Sequence, residues 1–361
     1  CFTIGQYINI FQFMEGSVNE IINNYFIRPY EPLLKIIIPQ QLGPEVEDKH
    51  QLKKIIAQKS EVFFRELLSS SFIIQQLDNF IGEILNNLRK QANILSPEES
   101  QNLMTYDQML AMSPLYKETS YMDNQVFLGS KAYYLKKLYL NDFPVPPGFV
   151  VTTEVFRRIN SILKVKPISD EFDKMLRQNL AKVEKITGLQ FGNPKNPLLL
   201  SVRSGSAISM PGAMHTFLNV GLNDEITEEL SKQDNYAWTS WDCYRRLLQT
   251  WGMSHGLDRN DFDQIIINYK KKYGVTQKIG FTPANMKEIA FAYKQLLIDN
   301  HIHFETDPFL QLKQAVITVF ESWNSSRAQV YRNHMHIADE WGTWMRRTTT
   351  IKLVVYAKIT A

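Results

Sequence analysis

The segment of residues 198–216 constrains the fold of this chain more than any other. It begins with Leu-Leu-Leu-Ser-Val-Arg, an apolar run that follows two Asn-Pro steps and predicts a buried strand. After Arg203 the segment becomes a loop rich in glycine, serine and other small residues. A guanidinium group beside backbone amides and hydroxyls suits a phosphate group. A Gly/Ser-rich surface loop without a ligand is the alternative interpretation.

A second strand and a lysine precede this segment. Residues 149–153, Phe-Val-Val-Thr-Thr, follow a Pro-Pro-Gly turn and predict a strand, after which helical spacing returns over 154–163. Lys131 follows Gly129 at the start of a helical pattern, where backbone N–H groups and one ammonium group can meet an anion. The pattern is not a Walker A loop, because the earlier glycine and the hydroxyl residue after the lysine are missing. A surface lysine after a turn is the alternative.

Residues 1–125 predict mostly helices. Apolar residues recur at helical spacing over 52–63 and 77–88, and Ser96 begins a Ser-Pro-Glu-Glu sequence typical of a helix start. Prolines break up the earlier part and predict that it is not one long helix. Packed helices of a larger protein and a partner-binding coiled coil both remain open for this region. The prolines concerned are Pro29, Pro32, Pro39 and Pro44.

The region from 225 to 332 is again helical in pattern, with a break around 274–283. Its aromatic stripe at helical spacing predicts core packing rather than stacking on bases. The stripe consists of Trp238, Trp241, Tyr244 and Leu248. Helices, a mixed segment and more helices indicate an α+β, helix-rich fold class.

Composition excludes several classes of function. A net charge of +3 over 361 residues is weak for a nucleic-acid-binding protein, so we expect no nucleic-acid partner. Cys1 and Cys243 cannot form a disulfide framework, which favours a reducing, cytoplasmic location. No apolar run approaches the ~18–20 residues of a membrane span. The pairs His301/His303 and His334/His336 lack further zinc ligands, so we predict no metal site in this chain.

Three segments together resemble the pyruvate, phosphate dikinase family. They are Gly-Ser-Lys-Ala at 129–132, Phe-Pro-Val-Pro-Pro-Gly-Phe-Val-Val-Thr-Thr at 143–153, and the long run at 201–224 that includes Ser-Met-Pro-Gly. They occur in the family's order, and the resemblance covers about 60% of the chain in separated blocks. Shorter similar blocks lie at residues 244–246, 321–328, 331–332 and 341–343.

The resemblance implies an ATP-grasp fold, in which two α+β lobes clamp ATP. It implies that Lys131 neutralises the phosphates, that Arg203 binds the transferring phosphoryl group, and that the loop 204–216 covers them. It also implies Mg²⁺, and downstream phosphohistidine and pyruvate domains as partners. The candidate ATP-binding residues carried over by position are Lys131, Arg203, Ser204, Gly205, Ser206, Met214, His215, Thr216 and Arg327.

Two departures from the family pattern limit what is expected of this chain. His215 stands where the family usually has an acidic residue, and a histidine cannot supply a fixed negative charge. After Thr343 the sequence diverges, and the second lobe with its Mg²⁺-binding carboxylates does not follow. The sequence also begins with Cys1 and not with a methionine, so we expect a segment of a longer protein.

These observations predict four regions. Residues 1–125 form a helical region, 126–224 an incomplete ATP-grasp-like lobe, 225–343 a helical subdomain, and 344–361 a divergent basic tail or truncation edge. The resemblance implies the ATP-binding portion of a dikinase-like phosphotransferase. A segment of a phosphoenolpyruvate synthase or another water dikinase, and a non-catalytic nucleotide-binding or assembly module, are the alternatives.

Overall fold

The computed structural model describes residues 4–42, 49–71, 74–96, 99, 106–119, 122–156, 158–205, 214–334 and 352–357. The chain divides into two compact units, Cys1–Thr105 and Tyr106–Ala361. The described part of the first unit is helical, and the second unit holds a five-stranded sheet together with helices. The α+β, helix-rich class is thus confirmed. Among the described residues, no helix has both the length and the apolar character to cross a bilayer.

The first unit has a small core between its first and last long helices. Val18 packs there with Ile81 and Leu85, and partly buried residues such as Phe11 surround them. The helix predicted from the apolar stripe over 77–88 is confirmed. The long helices are α1 (Ile4–Ile21), α2 (Arg28–Leu42), α3 (Lys49–Ser70) and α4 (Ile74–Ile94).

The early prolines interrupt the helices of this unit only in part. Helical structure continues from α1 through a π-helical segment, Ile22–Ile27, into α2, and Pro32 and Pro39 lie inside α2. The π segment separates α1 from α2, so this part is not one long α-helix, but Pro32 and Pro39 do not break α2. A proline clashes with the carbonyl group four residues earlier, and the wider π turn directly before α2 gives Pro29 room. Pro44 lies outside the described residues.

The second unit is built on a sheet with the strand order β1-β2-β5-β3-β4, in which every neighbouring pair is antiparallel. The strands predicted over 149–153 and 198–203 are confirmed as β2 and β3, with boundaries shifted by one or two residues. β1 comes from the range 1–125, which was predicted to be mostly helical. The strands are β1 (Met112–Pro114), β2 (Gly148–Val151), β3 (Leu200–Gly205), β4 (Thr216–Val220) and β5 (Lys352–Ala357).

Part of the segment 344–361, predicted as a divergent basic tail or truncation edge, forms strand β5. Lys352–Ala357 is the central strand of the sheet, hydrogen-bonded to β2 on one side and β3 on the other, and Val355 is fully buried. The sequence Leu-Val-Val-Tyr consists of residues that favour strands, and the flanking lysines concealed this preference. Pairing on both sides also removes the open edges that β2 and β3 otherwise present.

Helices pack on the sheet, and capping residues begin or end several of them. The break predicted at 274–283 is confirmed: Gly274 ends one helix in a left-handed conformation, and Thr282 with Pro283 begins the next through a capping box. The helices of this unit are α5 (Gln125–Leu140), α6 (Thr153–Phe156), α7 (Ile159–Lys164), α8 (Lys166–Thr187), α9 (Asp224–Ser231), α10 (Ala237–Ser254), α11 (Arg259–Tyr273), α12 (Pro283–Asp299), α13 (Pro308–Glu321) and α14 (Ser326–His334).

The aromatic stripe of α10 forms part of the core, as predicted. Trp241, Tyr244 and Leu248 are all buried, and Tyr244 lies edge-on to Phe304 at a ring distance of 5.9 Å. Trp238 is half-buried. α10 packs against α12 and against β4, so this core joins the helical part of the unit to one edge of the sheet.

Candidate functional site

A cavity of about 370 Å³ brings together two residues that lie 72 positions apart in the sequence. Lys131 of α5 and Arg203 of β3 both line it, as does Ser204. The rest of the lining is mostly apolar and comes from α5, the segment after β1 and the turn before β2. These residues are Leu115, Tyr134, Leu135, Leu138, Val145 and Pro146.

Gly129 determines where Lys131 lies. Its backbone angles, φ 75° and ψ 159°, interrupt α5, so Lys131 lies in the first turn of the helical segment that continues to Leu140. Only glycine adopts this region of backbone angles readily. The first N–H groups of a helix have no intrahelical partner and carry the positive end of the dipole. The predicted helix start with a glycine and a lysine is therefore confirmed.

A buried lysine fixes α5 against the segment that follows β1. Lys136 is 2% exposed, and its Nζ donates to Asp123 Oδ1 at 2.5 Å and to Thr119 Oγ1 at 2.8 Å. Its Nζ also lies 3.3 Å from Ser113 Oγ, on β1. Burial lowers the pKa of Lys136, and the Asp123 carboxylate opposes this shift. The pair holds the cavity wall around Leu115 in place.

Arg203 lies where β3 meets both of its neighbouring strands. It is paired with Thr216 of β4 on one side and with Val354 of β5 on the other. Its side chain is exposed, and Ser204 is half-buried. Gly205 ends the strand, and Ser206 belongs to residues 206–213, which lie outside the described part of the chain. Thr216 begins the returning strand and is half-buried.

The remaining candidates gather at the start of β4. The His215 backbone N–H donates to Ser322 Oγ at 3.3 Å, and Met214 is half-buried beside it in sequence. Burial lowers the pKa of His215, and the nearby charges of Arg327 and His255 lower it further. His215 is therefore neutral at pH 7 and adds no charge. Arg327 is exposed at the start of α14.

Other histidines and arginines singled out by the sequence have structural surroundings. Arg332 is buried, its guanidinium carbon lies 4.3 Å from the centre of the Trp323 ring, and it donates to the Trp323 carbonyl. His301 occupies a left-handed backbone conformation, with φ 58°. Within the described residues no group of three or more His, Cys, Asp or Glu side chains could hold a metal ion. His336 lies outside them.

The cavity combines an apolar wall with two cationic side chains and the start of a helix. This combination suits a ligand that has both an apolar ring and an anionic group. Sequence reasoning identified the polar residues and missed the wall and Lys136. The turn before β2 was interpreted as architecture only, although its Val-Pro pair marks two of the lining residues. Lys136 carries no sequence signal that separates it from the adjacent, exposed Lys137.

A known protein family and several known proteins match the part of the chain that contains Arg203. Residues 157–343 match the family model of the pyruvate phosphate dikinase AMP/ATP-binding domain. This range includes Arg203, the loop after it and Arg327, whereas Lys131 precedes it. The chain is 36% identical over 220 residues to pyruvate, phosphate dikinase from Rhizobium meliloti, an alignment that covers 60% of this chain and 24% of that protein.

Two further relatives carry the same name. The enzyme from Clostridium symbiosum is 34% identical over 227 residues, covering 62% of this chain and 26% of the relative. The chloroplastic enzyme from Mesembryanthemum crystallinum is 31% identical over 274 residues, covering 75% of this chain and 28% of the relative. The chain thus spans about a quarter of the length of these relatives. Since the family model matches more than half of the chain, the protein belongs to the family of the pyruvate phosphate dikinase AMP/ATP-binding domain.

Proposed function

We propose that this chain binds ATP in the cavity between α5 and β3 and is the first lobe, with its helical subdomain, of an ATP-grasp-like clamp. The observation that supports this most is the convergence of Lys131 and Arg203 on one cavity whose other wall is apolar. An adenine ring requires an apolar surface, and the phosphates require cations and N–H donors.

The positions of these residues support a role for each of them in this proposal. Lys131 neutralises phosphate charge from the first turn of a helix segment, where the dipole adds to its effect. Arg203 offers a planar guanidinium group to the transferring phosphoryl group. Ser204, Gly205, Ser206, Met214, His215 and Thr216 belong to the loop and strand ends that cover the phosphates, and Arg327 lies near His215.

Mg²⁺ is implied by the family, and the described residues around the cavity do not suffice to hold it. Mg²⁺ prefers several oxygen ligands, chiefly carboxylates and substrate phosphates. The lining residues offer one hydroxyl, from Ser204, the phenol of Tyr134 and no carboxylate. What these residues supply is positioning and charge neutralisation, which make up most of the catalysis of phosphoryl transfer.

For the whole protein we propose a dikinase-like phosphotransferase that uses ATP to phosphorylate a histidine on the way to phosphoenolpyruvate. The relatives' name and the residue pattern at 201–224 support this proposal. The phosphohistidine and pyruvate domains would be its partners. A non-catalytic nucleotide-binding module is the second candidate, and the neutral His215 at a position that is usually acidic favours it.

Calorimetric titration with ATP, with and without Mg²⁺, tests the binding site. Lys131→Ala and Arg203→Ala should each weaken ATP binding by about ten- to a hundredfold, since each removes a charge-assisted hydrogen bond to phosphate. Adenosine lacks phosphates, so its binding should change little in both variants.

Lys137→Ala is the matched control, because Lys137 is also an exposed lysine of α5 but does not line the cavity. Its ATP affinity should equal that of the unaltered chain. Equal ATP affinity in all four proteins would refute the site. Normal ATP binding with no phosphoryl transfer in the full-length protein would instead favour the non-catalytic module.

A further inference from the structure

The first unit exposes an apolar groove between α2 and α3. The groove has a volume of about 540 Å³, and each helix lines it with residues at the spacing i, i+3, i+4, i+7. The residues on α2 are Leu34, Ile37, Ile38 and Gln41, and those on α3 are Lys59, Val62, Phe63 and Glu66, with Gln58 beside them.

The floor of this groove is packed and its walls are open. Ile38 is 4% exposed, and the Phe63 ring lies 5.7 Å from the Tyr30 ring. In contrast, Ile37 is 46% exposed and Val62 is 54% exposed. A contiguous apolar surface of this kind on a helical unit typically marks a protein-binding site. The two-helix shape is suited to another helix, which would pack into the space between them.

The charges at the ends of the groove indicate which helix binds in it. Lys59 and Glu66 lie two turns apart on α3, about 10 Å along the axis, which is too far for them to pair with each other. Neither side chain has an ion-pair partner among the described residues. By comparison, the Glu61–Arg65 pair on the same helix is satisfied within the chain, at 2.7 Å.

These charges and the apolar residues between them are arranged symmetrically about one point. In an antiparallel arrangement centred between Val62 and Phe63, Lys59 lies opposite Glu66 of the partner subunit, and the reverse pair forms at the other end. A surface that is complementary to itself in this way is the requirement for a twofold interface. An unrelated partner would not require this symmetry.

We propose that this groove is a self-association surface, in which α2 and α3 of one copy pack antiparallel against α2 and α3 of a second copy. Val62 and Phe63 form the dry centre, and the two Lys59–Glu66 pairs form the polar rim and set the register. This role is independent of the nucleotide site in the second unit.

Sedimentation equilibrium of the full chain over a concentration series tests the proposal. The unaltered chain should dimerise. Lys59→Glu and Glu66→Lys should each raise the dimer dissociation constant by about tenfold or more, because each places like charges together at both ends of the interface. The double exchange Lys59→Glu/Glu66→Lys should restore the affinity, and an equimolar mixture of the two single variants should form mixed dimers.

Lys53→Glu is the control, since it makes the same charge change on an exposed position of α3 outside the groove. It should leave the dissociation constant unchanged, and helix content by circular dichroism should be equal in all variants. A monomeric unaltered chain would overturn the proposal, whatever other helix the groove then binds. A dimer that both single variants leave intact would also overturn the proposal. The same holds for a double exchange that fails to restore the dimer affinity.

Discussion

Asp242 of α10 is a buried carboxylate that three basic side chains surround. Its Oδ1 accepts from Arg245 at 2.8 Å and from Lys278 at 3.0 Å, and its Oδ2 accepts from Arg246 at 2.7 Å. Burial by itself would raise the pKa of Asp242, but Arg245 and Lys278 together lower it. The carboxylate is therefore charged in the folded protein and balances the guanidinium group of Arg245, which is itself buried.

Asp242→Asn should lower the free energy of unfolding by about 3 kcal/mol. The substitution removes the negative charge and leaves the buried Arg245 uncompensated, which is the costly way to break a buried ion pair. Urea unfolding at pH 7, followed by tryptophan fluorescence, measures the change.

Asp263→Asn provides the comparison, because Asp263 forms an exposed pair with Arg259 at 3.6 Å on the adjacent helix α11. Exposed pairs contribute less than about 1 kcal/mol. If both variants lost the same free energy of unfolding, the surroundings of Asp242 would be solvated.

At the scale of single residues, the sequence predicts as site candidates those with a distinctive local pattern. Lys131 follows a glycine at a helix start, and Arg203 ends an apolar strand before a Gly/Ser loop, so each stands out in the sequence. Lys136 and Asp242 do not, because their importance depends on burial beside residues 13 and 36 positions away. Burial of a single charged residue depends on packing between elements, and local spacing does not encode it.

Among the elements, α5 depends on one glycine for its shape. Gly129 has φ 75° and ψ 159°, a combination that costs a residue with a side chain on the order of 1–3 kcal/mol. Gly129→Ala should reduce the stability by about this amount and weaken ATP binding, because a straightened helix would move Lys131. Thermal unfolding and calorimetric titration measure the two effects.

Gly82→Ala is the matched control for an ordinary helix. Gly82 lies inside α4, and a Cβ atom there would meet no other atom within 4 Å. The substitution should increase stability by about 0.5–1 kcal/mol, since alanine loses less conformational freedom on folding. If Gly129→Ala is also stabilising, the interruption of α5 is not a requirement of the fold.

Helices and strands with a strong period were predictable, and those that depend on their neighbours were not. The apolar stripe over 77–88 predicts a helix from its local pattern alone, and the apolar run before Arg203 predicts a strand in the same way. By contrast, α2 contains Pro32 and Pro39, which local rules exclude from a helix interior. β5 is short and flanked by lysines, so its strand pattern is weak in the sequence. It pairs with the edges of β2 and β3, which lie about 150–200 positions earlier in the chain and which local spacing does not reveal.

In the sheet of the second unit, the late strand β5 has the central place. β5 is the only link between the pair β1-β2 and the pair β3-β4 within the described sheet. β2 carries the turn that lines the cavity on one side, and β3 carries Arg203 on the other. The positions of Val145 and Pro146, in the turn before β2, relative to Arg203 on β3 therefore depend in part on residues 352–357.

Removal of residues 351–361 should accordingly disrupt both stability and ATP binding. The truncated chain loses the ladders on both sides of β5 and the buried Val355, and it exposes two strand edges at the centre of a sheet. We expect a fall in melting temperature of more than about 10 °C, or insolubility, since each lost kcal/mol lowers it by about 2–4 °C in a unit of this size. A chain that ends at Ala357 retains β5 and should behave as the full chain. Normal melting and ATP affinity after removal of 351–361 would mean that the sheet forms from β1-β2 and β3-β4 without a central strand.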